Sequence, residues 1–223
     1  MPVVVLISGN GSNLQAIIDS ATEQPIEVRA VISNRPEAYG LERAKRAGIR
    51  TEVVNHRDYP SREAFDVALA EAIDRYQPSV IVLAGFMRIL GHDFVRRYAG
   101  RMLNIHPSLL PAYRGLNTHQ RAIDHGDSHH GTSVHFVTEE LDGGPVILQA
   151  RIPIEPDDSA ETLQQRIQHQ EHVIYPRVLE WIAKGRLQWQ AGLPYLDGRP
   201  LDAPVVTDNP APADHPCHRS AAG

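Results

Sequence analysis

A continuous run of aliphatic residues, followed at once by a glycine-rich turn and a helix, constrains the fold more than any other feature of the chain. Residues 3–7 read Val-Val-Val-Leu-Ile without any polar alternation, which is typical of a central parallel strand buried on both faces. Residues 8–13 contain two glycines, and apolar side chains at helical spacing follow them. Ser12 and Gln15 stand three apart where the helix should begin, which predicts a capping box.

Strands and helices alternate over the first half of the chain. Each parallel strand needs a crossover connection to reach the next, so this alternation favours helices on both faces of a parallel sheet. We predict a Rossmann-like, doubly wound, mostly parallel α/β sheet flanked by helices, with ligands bound outside the carboxyl ends of the strands. The later strands are predicted at 27–33, 51–54, 79–84 and 101–105, with helices over 37–47, closed by Gly48, and from a Ser61 cap to about 77.

The second half of the chain should add antiparallel strands and one long helix. Apolar alternation and turn residues mark the strands, and capping residues mark the helices. Strands are predicted over 131–138 and 146–154, a hairpin over 187–196, a helix over 118–125 closed by Gly126, and a helix over 159–182 that Ser159 caps and Pro176 interrupts. We predict one domain over 1–200 and a disordered tail over 201–223, because Pro, Ala and Asp dominate from Ala203 onward.

Composition excludes several classes of protein. The 223 residues, 42% of them hydrophobic, suffice for a globular core, and the net charge of −5 argues against non-specific binding to nucleic acid. No stretch reaches the roughly 18 apolar residues of a membrane-spanning helix, and the chain begins in a strand without a signal sequence. We therefore expect a cytoplasmic protein, either a monomer or a homodimer. The one cysteine, Cys217, can form no internal disulfide, and no ligand cluster predicts a metal site.

Polar side chains capable of chemistry stand at the end of the strand predicted over 101–105. Asn104 and His106 are two residues apart, so in a strand they project from the same face. Asp142 precedes a Gly-Gly pair, which lets the backbone come close to another group. His135, on the alternating strand, either lines the same site or is a hydrogen-bonded, half-buried histidine.

Two loops that leave the same predicted edge of the sheet could hold ligands. The turn at 8–13 leads into a helix start, where free N–H groups favour a phosphate. It lacks the third glycine of a dinucleotide site, and the strand over 27–33 does not end in an acidic residue, so a nicotinamide cofactor is not expected. A tight turn that binds nothing remains the alternative. The loop at 85–90 is either part of the core or an apolar wall for a flat ligand such as a pteridine.

Four ordered motifs together resemble the phosphoribosylglycinamide formyltransferase family. They are Ile-Ser-Gly-Asn-Gly-Ser-Asn-Leu-Gln-Ala-Ile at 7–17, Ala-Gly-Phe-Met-Arg-Ile-Leu at 84–90, Asn-Ile-His-Pro-Ser-Leu-Leu-Pro at 104–111 and Leu-Asp-Gly-Gly-Pro-Val-Ile at 141–147. The resemblance covers about residues 3–200. It implies transfer of a formyl group from 10-formyltetrahydrofolate to the amine of glycinamide ribonucleotide, in purine biosynthesis.

The resemblance also implies a role for individual residues. The catalytic residues would be Asn104, His106 and Asp142. The residues that bind glycinamide ribonucleotide would be Gly11, Ser12, Asn13 and Glu171. The residues that bind the folate would be Arg62, Met87, Arg88, Ile89, Leu90, Asn104, Thr138, Glu139, Glu140, Leu141 and Asp142. For Glu139 and Glu140, the residues alone favour a solvated acidic turn.

The chemistry of formyl transfer suits these residue types. Attack of an amine on a formyl carbon creates an oxyanion, which Asn104 and a protonated His106 could stabilise as hydrogen-bond donors. Asp142 could position His106 and a water that relays a proton, and no metal is required. Methionyl-tRNA formyltransferase and formyltetrahydrofolate deformylase share similar motifs, but they would normally carry a further domain that we do not recognise in this chain. A non-catalytic nucleotide-binding module that uses only the 8–13 loop is the remaining alternative.

Overall fold

The computed structural model describes residues 1–208, and in this part of the chain eight strands form one central sheet and three form a small second sheet. The strands of the central sheet are β1 (Pro2–Ile7), β2 (Glu27–Ser33), β3 (Arg50–Val53), β4 (Val80–Leu83), β5 (Met102–His106), β6 (His129–Phe136), β7 (Val146–Pro153) and β11 (Val205–Asp208), and those of the second sheet are β8 (Leu187–Gln190), β9 (Leu193–Leu196) and β10 (Arg199–Pro200). The helices are α1 (Ser12–Ala21), α2 (Gly40–Arg46), α3 (Arg62–Asp74), α4 (His92–Arg97), α5 (Thr118–His125) and α6 (Ala160–Ala183).

The strand order in the central sheet is β11-β7-β6-β5-β4-β1-β2-β3. The five strands from β1 to β5 pair in parallel, whereas β6 runs antiparallel to both β5 and β7. The order reverses between β1 and β4, where loops from neighbouring strands leave the same edge and diverge. The predicted fold class, a mostly parallel α/β sheet with antiparallel strands in the C-terminal half, is confirmed.

Apolar side chains fill both faces of the sheet. In β1, Val3, Val5 and Ile7 enter one apolar cluster, while Val4 and Leu6 enter another on the opposite face. All five are fully buried, which explains the absence of polar alternation in this segment. A strand with two buried faces has no side on which polar side chains would be favoured.

Three local predictions are wrong. The first helix begins at Ser12, but Gly11 is its cap in a left-handed conformation, and Ser12 accepts a hydrogen bond from Gln168 instead of capping the helix. The helix predicted from residue 37 starts only at Gly40. Helix α6 continues through Pro176, which is buried within it. A proline inside a helix removes one backbone hydrogen bond, and tertiary packing of the buried face offsets that loss.

The segment predicted to be disordered, 201–223, includes the last strand of the central sheet. Val205–Asp208 pairs in parallel with β7, and Asp208 accepts a hydrogen bond from Arg151, so a sheet edge orders a segment that the composition suggested would be disordered. The remainder of the predicted tail, including Cys217, lies outside the described residues. Within residues 1–208, no helix is both long and apolar enough to cross a membrane.

Candidate active site

The candidate site lies at the edge of the sheet where β1, β4 and β5 end. These three strands are parallel neighbours, so the segments that follow them leave from the same edge. The glycine-rich loop follows β1, the 84–91 loop follows β4, and a proline-containing loop follows β5. The structure therefore brings the glycine-rich loop next to two segments that lie about eighty and a hundred residues further along the sequence.

The amide of Asn104 is oriented by a histidine on the neighbouring strand. Asn104 and His135 are partners in the antiparallel register of β5 and β6, and Asn104 Nδ2 lies 3.2 Å from His135 Nε2. His135 Nδ1 lies 2.9 Å from the Phe136 carbonyl oxygen, which can only accept, so the proton of the neutral imidazole sits on Nδ1. Burial lowers the pKa of His135 and favours that neutral form. Nε2 then accepts one hydrogen of the Asn104 amide and leaves the second free to donate.

His106 and Asp142 face each other in a buried setting. His106 Nδ1 lies 3.4 Å from Asp142 Oδ2, and both side chains are only 8% exposed. The other ring nitrogen, Nε2, lies 2.9 Å from the Tyr113 carbonyl oxygen and therefore carries a proton. The Gly115 amide donates to Asp142 Oδ2 at 3.0 Å. The Tyr113 carbonyl thus fixes the His106 imidazole, and the Gly115 N–H fixes the Asp142 carboxylate.

The loop that carries Asp142 depends on two adjacent glycines. Asp142 itself has a positive φ of 49°, a conformation that Asp tolerates better than most residues. A Cβ on Gly144 would lie 1.9 Å from the Phe136 carbonyl oxygen, whereas the three atoms nearest to a Cβ on Gly143 all belong to the Glu140 side chain. The close approach of the backbone that we predicted for the Gly-Gly pair therefore occurs at Gly144. A glycine is required there because its backbone lies against the end of β6.

The glycine-rich loop and α6 form a second polar cluster beside the catalytic candidates. Gly11 adopts a positive φ of 76° and packs so closely on Gly40 that a Cβ would lie 2.7 Å from the Gly40 Cα. Asn13 Nδ2 donates to Glu171 Oε2 at 2.8 Å, and Asn13 Oδ1 is buried without a hydrogen-bond partner in the described part of the chain. The four residues predicted to bind glycinamide ribonucleotide, Gly11, Ser12, Asn13 and Glu171, thus lie where α1 meets α6.

Glu171 is a buried carboxylate, and no cation from residues 1–208 is among its hydrogen-bond partners. Its hydrogen-bond partners are Asn13 and the Thr132 hydroxyl, the latter at 3.4 Å. Burial raises the pKa of Glu171 to about 7, and the bonds from Asn13 and Thr132 oppose this only in part. Thr132 Oγ1 also lies 3.0 Å from the His106 carbonyl oxygen. This hydroxyl therefore lies between the Glu171 carboxylate and the backbone of His106.

The 87–90 loop is a surface feature, not part of the core. Met87 and Ile89 are 63% and 62% exposed, while Leu90 packs partly against the apolar cluster on the α3 side of the sheet. The Arg88 guanidinium lies 5.7 Å from the Phe65 ring, and its buried Nε has no hydrogen-bond partner within residues 1–208. Exposed apolar side chains beside a polar cleft are typical of a ligand-binding wall.

The remaining folate candidates surround this loop. Arg62 lines the groove between α3 and α4 together with Gly91 and His92. On the 138–142 segment, Leu141 is 55% exposed and Thr138 Oγ1 lies 3.5 Å from the Glu140 carbonyl oxygen. The acidic side chains of that segment form surface ion pairs, Glu139 with His92 and Arg96 and Glu140 with Arg114. Both glutamates are exposed, which agrees with the solvated acidic turn that the residues alone favoured.

Comparisons with known proteins agree on one family. The sequence model of the formyl transferase family matches residues 1–179. Phosphoribosylglycinamide formyltransferase from Escherichia coli is 58% identical over 203 residues, which cover 90% of this chain and 96% of that protein. The solved phosphoribosylglycinamide formyltransferase from Coxiella burnetii has a TM-score of 0.89 and 55% identity, covering 92% of this chain and 98% of that one. This chain belongs to the phosphoribosylglycinamide formyltransferase family. The predicted family and enzyme class, a folate-dependent formyltransferase, are confirmed.

A longer protein is also similar to this chain in one of its segments. The human trifunctional purine biosynthetic protein adenosine-3 is 46% identical over 188 residues, which cover 83% of this chain and 19% of that protein. The similarity is thus confined to a small part of that longer protein.

Two residues of the candidate site carry little signal in the sequence. For His135, the strand pattern leaves open whether it lines the site or is a hydrogen-bonded histidine, and the structure shows that its Nε2 orients Asn104. Strand alternation gives the face of His135 but not its partner, which depends on the register with β5. Thr132 has no sequence signal of its own, because threonine is common in strands. Its contacts with Glu171 and the His106 carbonyl reveal its position.

Proposed function

We propose that this protein transfers the formyl group of 10-formyltetrahydrofolate to the amine of glycinamide ribonucleotide, with Asn104, His106 and Asp142 as the catalytic residues. One observation supports this assignment most strongly. The three side chains come from two separate segments and meet at the carboxyl edge of the sheet, with His106 Nδ1 3.4 Å from Asp142 Oδ2. Such convergence of an amide, an imidazole and a carboxylate suits acyl transfer without a metal.

In the proposed reaction the substrate amine attacks the formyl carbon and a carbon–nitrogen bond forms. The carbonyl electron pair moves to oxygen, and the resulting oxyanion accepts hydrogen bonds from the free Asn104 N–H and from the Nδ1–H of protonated His106, whose Nε2–H stays on the Tyr113 carbonyl. Asp142 positions the imidazolium and a water, which takes the proton from the attacking nitrogen and delivers one to the folate nitrogen. The bond between the formyl carbon and that folate nitrogen then breaks. The products are formylglycinamide ribonucleotide and tetrahydrofolate.

The substrate phosphate is assigned to the start of α1. Backbone N–H groups of Gly11, Ser12 and Asn13 stand at the first turn of this ten-residue helix, where the helix dipole favours an anion. Glu171, beside Asn13, is assigned to the amine side of glycinamide ribonucleotide. The amine must reach the formyl carbon near His106, and Thr132 connects Glu171 with the His106 backbone.

The folate is assigned to the exposed apolar loop and the segments around it. The 87–90 loop offers apolar side chains and backbone hydrogen-bonding groups to a flat pteridine ring, and Arg62 offers a cation toward the carboxylate end of the cofactor. The residues assigned to the folate are Arg62, Met87, Arg88, Ile89, Leu90, Asn104, Thr138, Glu139, Glu140, Leu141 and Asp142. The proposal assigns no role to a metal or to nucleic acid. The cytoplasmic location and the oligomeric state, either a monomer or a homodimer, stay predictions.

An absorbance assay for the folate product, run with and without glycinamide ribonucleotide, tests the proposal. We expect product formation only when both substrates are present, and loss of turnover in Asp142→Asn, which keeps the shape but not the charge of the side chain. Formyl loss without glycinamide ribonucleotide would instead indicate a deformylase. Near-normal turnover in Asp142→Asn would contradict the role proposed for this carboxylate.

A further inference from the structure

Ser8 connects the glycine-rich loop with the 84–91 loop. It directly follows β1, is 4% exposed, and its hydroxyl lies 2.8 Å from the Met87 backbone nitrogen and 2.5 Å from Asn34 Oδ1. The Ser8 backbone N–H also donates to the Gly85 carbonyl oxygen at 3.1 Å. A single buried residue at the root of one loop thus contacts the other loop twice.

The direction of each hydrogen bond is fixed. The Met87 N–H can only donate, so the Ser8 hydroxyl oxygen accepts from it. The one hydroxyl hydrogen is then available to Asn34 Oδ1, which can only accept. Asn34 is 1% exposed and follows β2, so the hydroxyl joins three loops from three neighbouring strands. Removing this oxygen would leave the Met87 N–H and Asn34 Oδ1 without their partner.

The 84–91 loop is held in different ways along its length. Phe86 is buried in the apolar cluster on the α3 side of the sheet and anchors the start of the loop. The next side chain, Met87, is mostly exposed, so burial does not fix it, and the Ser8 hydroxyl holds its backbone N–H instead. At the far end, Asp66 Oδ2 accepts from the Gly91 N–H at 2.7 Å. Ser8 and Asp66 therefore each fix one backbone N–H of the loop, and of these two residues Ser8 belongs to the glycine-rich loop as well.

We propose that the Ser8 hydroxyl is a positioning group that couples the two substrate sites, so that binding of glycinamide ribonucleotide at the glycine-rich loop strengthens binding of the folate at the 87–90 loop. This inference rests on the proposed function, which places one substrate on each loop. The physical basis is that a phosphate on the glycine-rich loop restricts the backbone that carries Ser8. Ser8 in turn restricts Met87, so the second ligand meets a loop that is already ordered.

The experiment measures tetrahydrofolate binding by calorimetry, with and without saturating glycinamide ribonucleotide. The coupling is the ratio of the two dissociation constants, and wild-type protein should give a ratio above one. In Ser8→Ala we expect tetrahydrofolate alone to bind about tenfold more weakly, as for the loss of one buried hydrogen-bond partner, and the ratio to approach one. Asp66→Ala is the matched variant, since it removes the side-chain acceptor at the other end of the same loop.

The matched variant separates coupling from simple loosening of the loop. Asp66→Ala should weaken tetrahydrofolate binding as well but keep the wild-type ratio, and Ser20→Ala, at the far end of α1 from the glycine-rich loop, should change neither value. A wild-type ratio of one, an unchanged ratio in Ser8→Ala, or an equal fall of the ratio in Asp66→Ala would each overturn the coupling. Failure of the wild-type protein to bind glycinamide ribonucleotide or tetrahydrofolate would instead overturn the proposed function.

Discussion

Replacing Glu171 by Gln should stabilise the free protein at high pH, although it weakens the active site. Burial raises the pKa of Glu171 to about 7 from an ordinary value of 4.5, so the folded protein holds this proton more tightly than the unfolded chain does. The contribution of Glu171 to the free energy of unfolding is then highest below about pH 4.5, falls as the pH rises toward 7, and is constant above that. At about 1.4 kcal/mol per pH unit, ionisation of Glu171 costs the folded state about 3 kcal/mol at most.

The glutamine should fit the same contacts. Its oxygen can accept from Asn13 Nδ2, as the carboxylate does now, and its amide can donate to Thr132 Oγ1, which then gives its own hydrogen to the His106 carbonyl. The variant removes the titration and keeps both side-chain contacts of the carboxylate. We therefore expect its advantage over the wild type to be small near pH 5 and to approach about 3 kcal/mol above pH 8. This corresponds to a rise of roughly 1 M in the urea midpoint.

Urea unfolding of both proteins at about pH 5 and about pH 8.5 measures this difference. Glu161→Gln provides the control, since Glu161 is exposed and the Ser159 hydrogen bond lowers its pKa, so its removal should give no stabilisation at high pH. Equal stability of Glu171→Gln and wild type at high pH would refute the argument, because the carboxylate would then be compensated in the folded state. The variant should also bind glycinamide ribonucleotide more weakly, because a buried group that destabilises the free protein is often one that serves binding.

Two further substitutions test the loops. Asn13→Asp should raise the dissociation constant for glycinamide ribonucleotide by roughly tenfold or more, because it places negative charge at a helix start and beside Glu171; calorimetry that gives an unchanged constant would contradict the phosphate assignment. Gly144→Ala should reduce kcat by about 100-fold, because its Cβ would collide with the Phe136 carbonyl and displace Asp142. Gly143→Ala, whose nearest contacts are with the flexible Glu140 side chain, should reduce kcat far less, and equal losses in the two variants would argue against this account.

Elements with strong local signals were predicted well. The strand β1 follows from an unbroken aliphatic run, and α5 ends at Gly126 as expected, since glycine accepts the left-handed conformation there at little cost. Ser159 caps α6 through a capping box, with Thr162 as the reciprocal partner. In each case the residues that decide the structure lie within one turn of it.

Features that depend on distant partners could not be predicted in the same way. Helix α6 passes through Pro176 because its buried face packs on the sheet, and β11 forms because the edge of β7 is available to pair. The face shared by Asn104 and His106 was predictable from strand alternation. Their partners His135 and Tyr113 depend on the register of β6 and on the path of the loop after β5, neither of which is encoded in a local pattern.

The central claim is that His106 acts in formyl transfer and is not needed to bind glycinamide ribonucleotide. Single-turnover formation of the folate product by His106→Ala, with glycinamide ribonucleotide binding measured on the same protein, tests this claim most directly. His125→Ala, at an exposed histidine on α5, serves as the control. We predict a dissociation constant within about threefold of the wild type and a transfer rate reduced by roughly 1,000-fold or more. A near-normal transfer rate in His106→Ala would contradict the account.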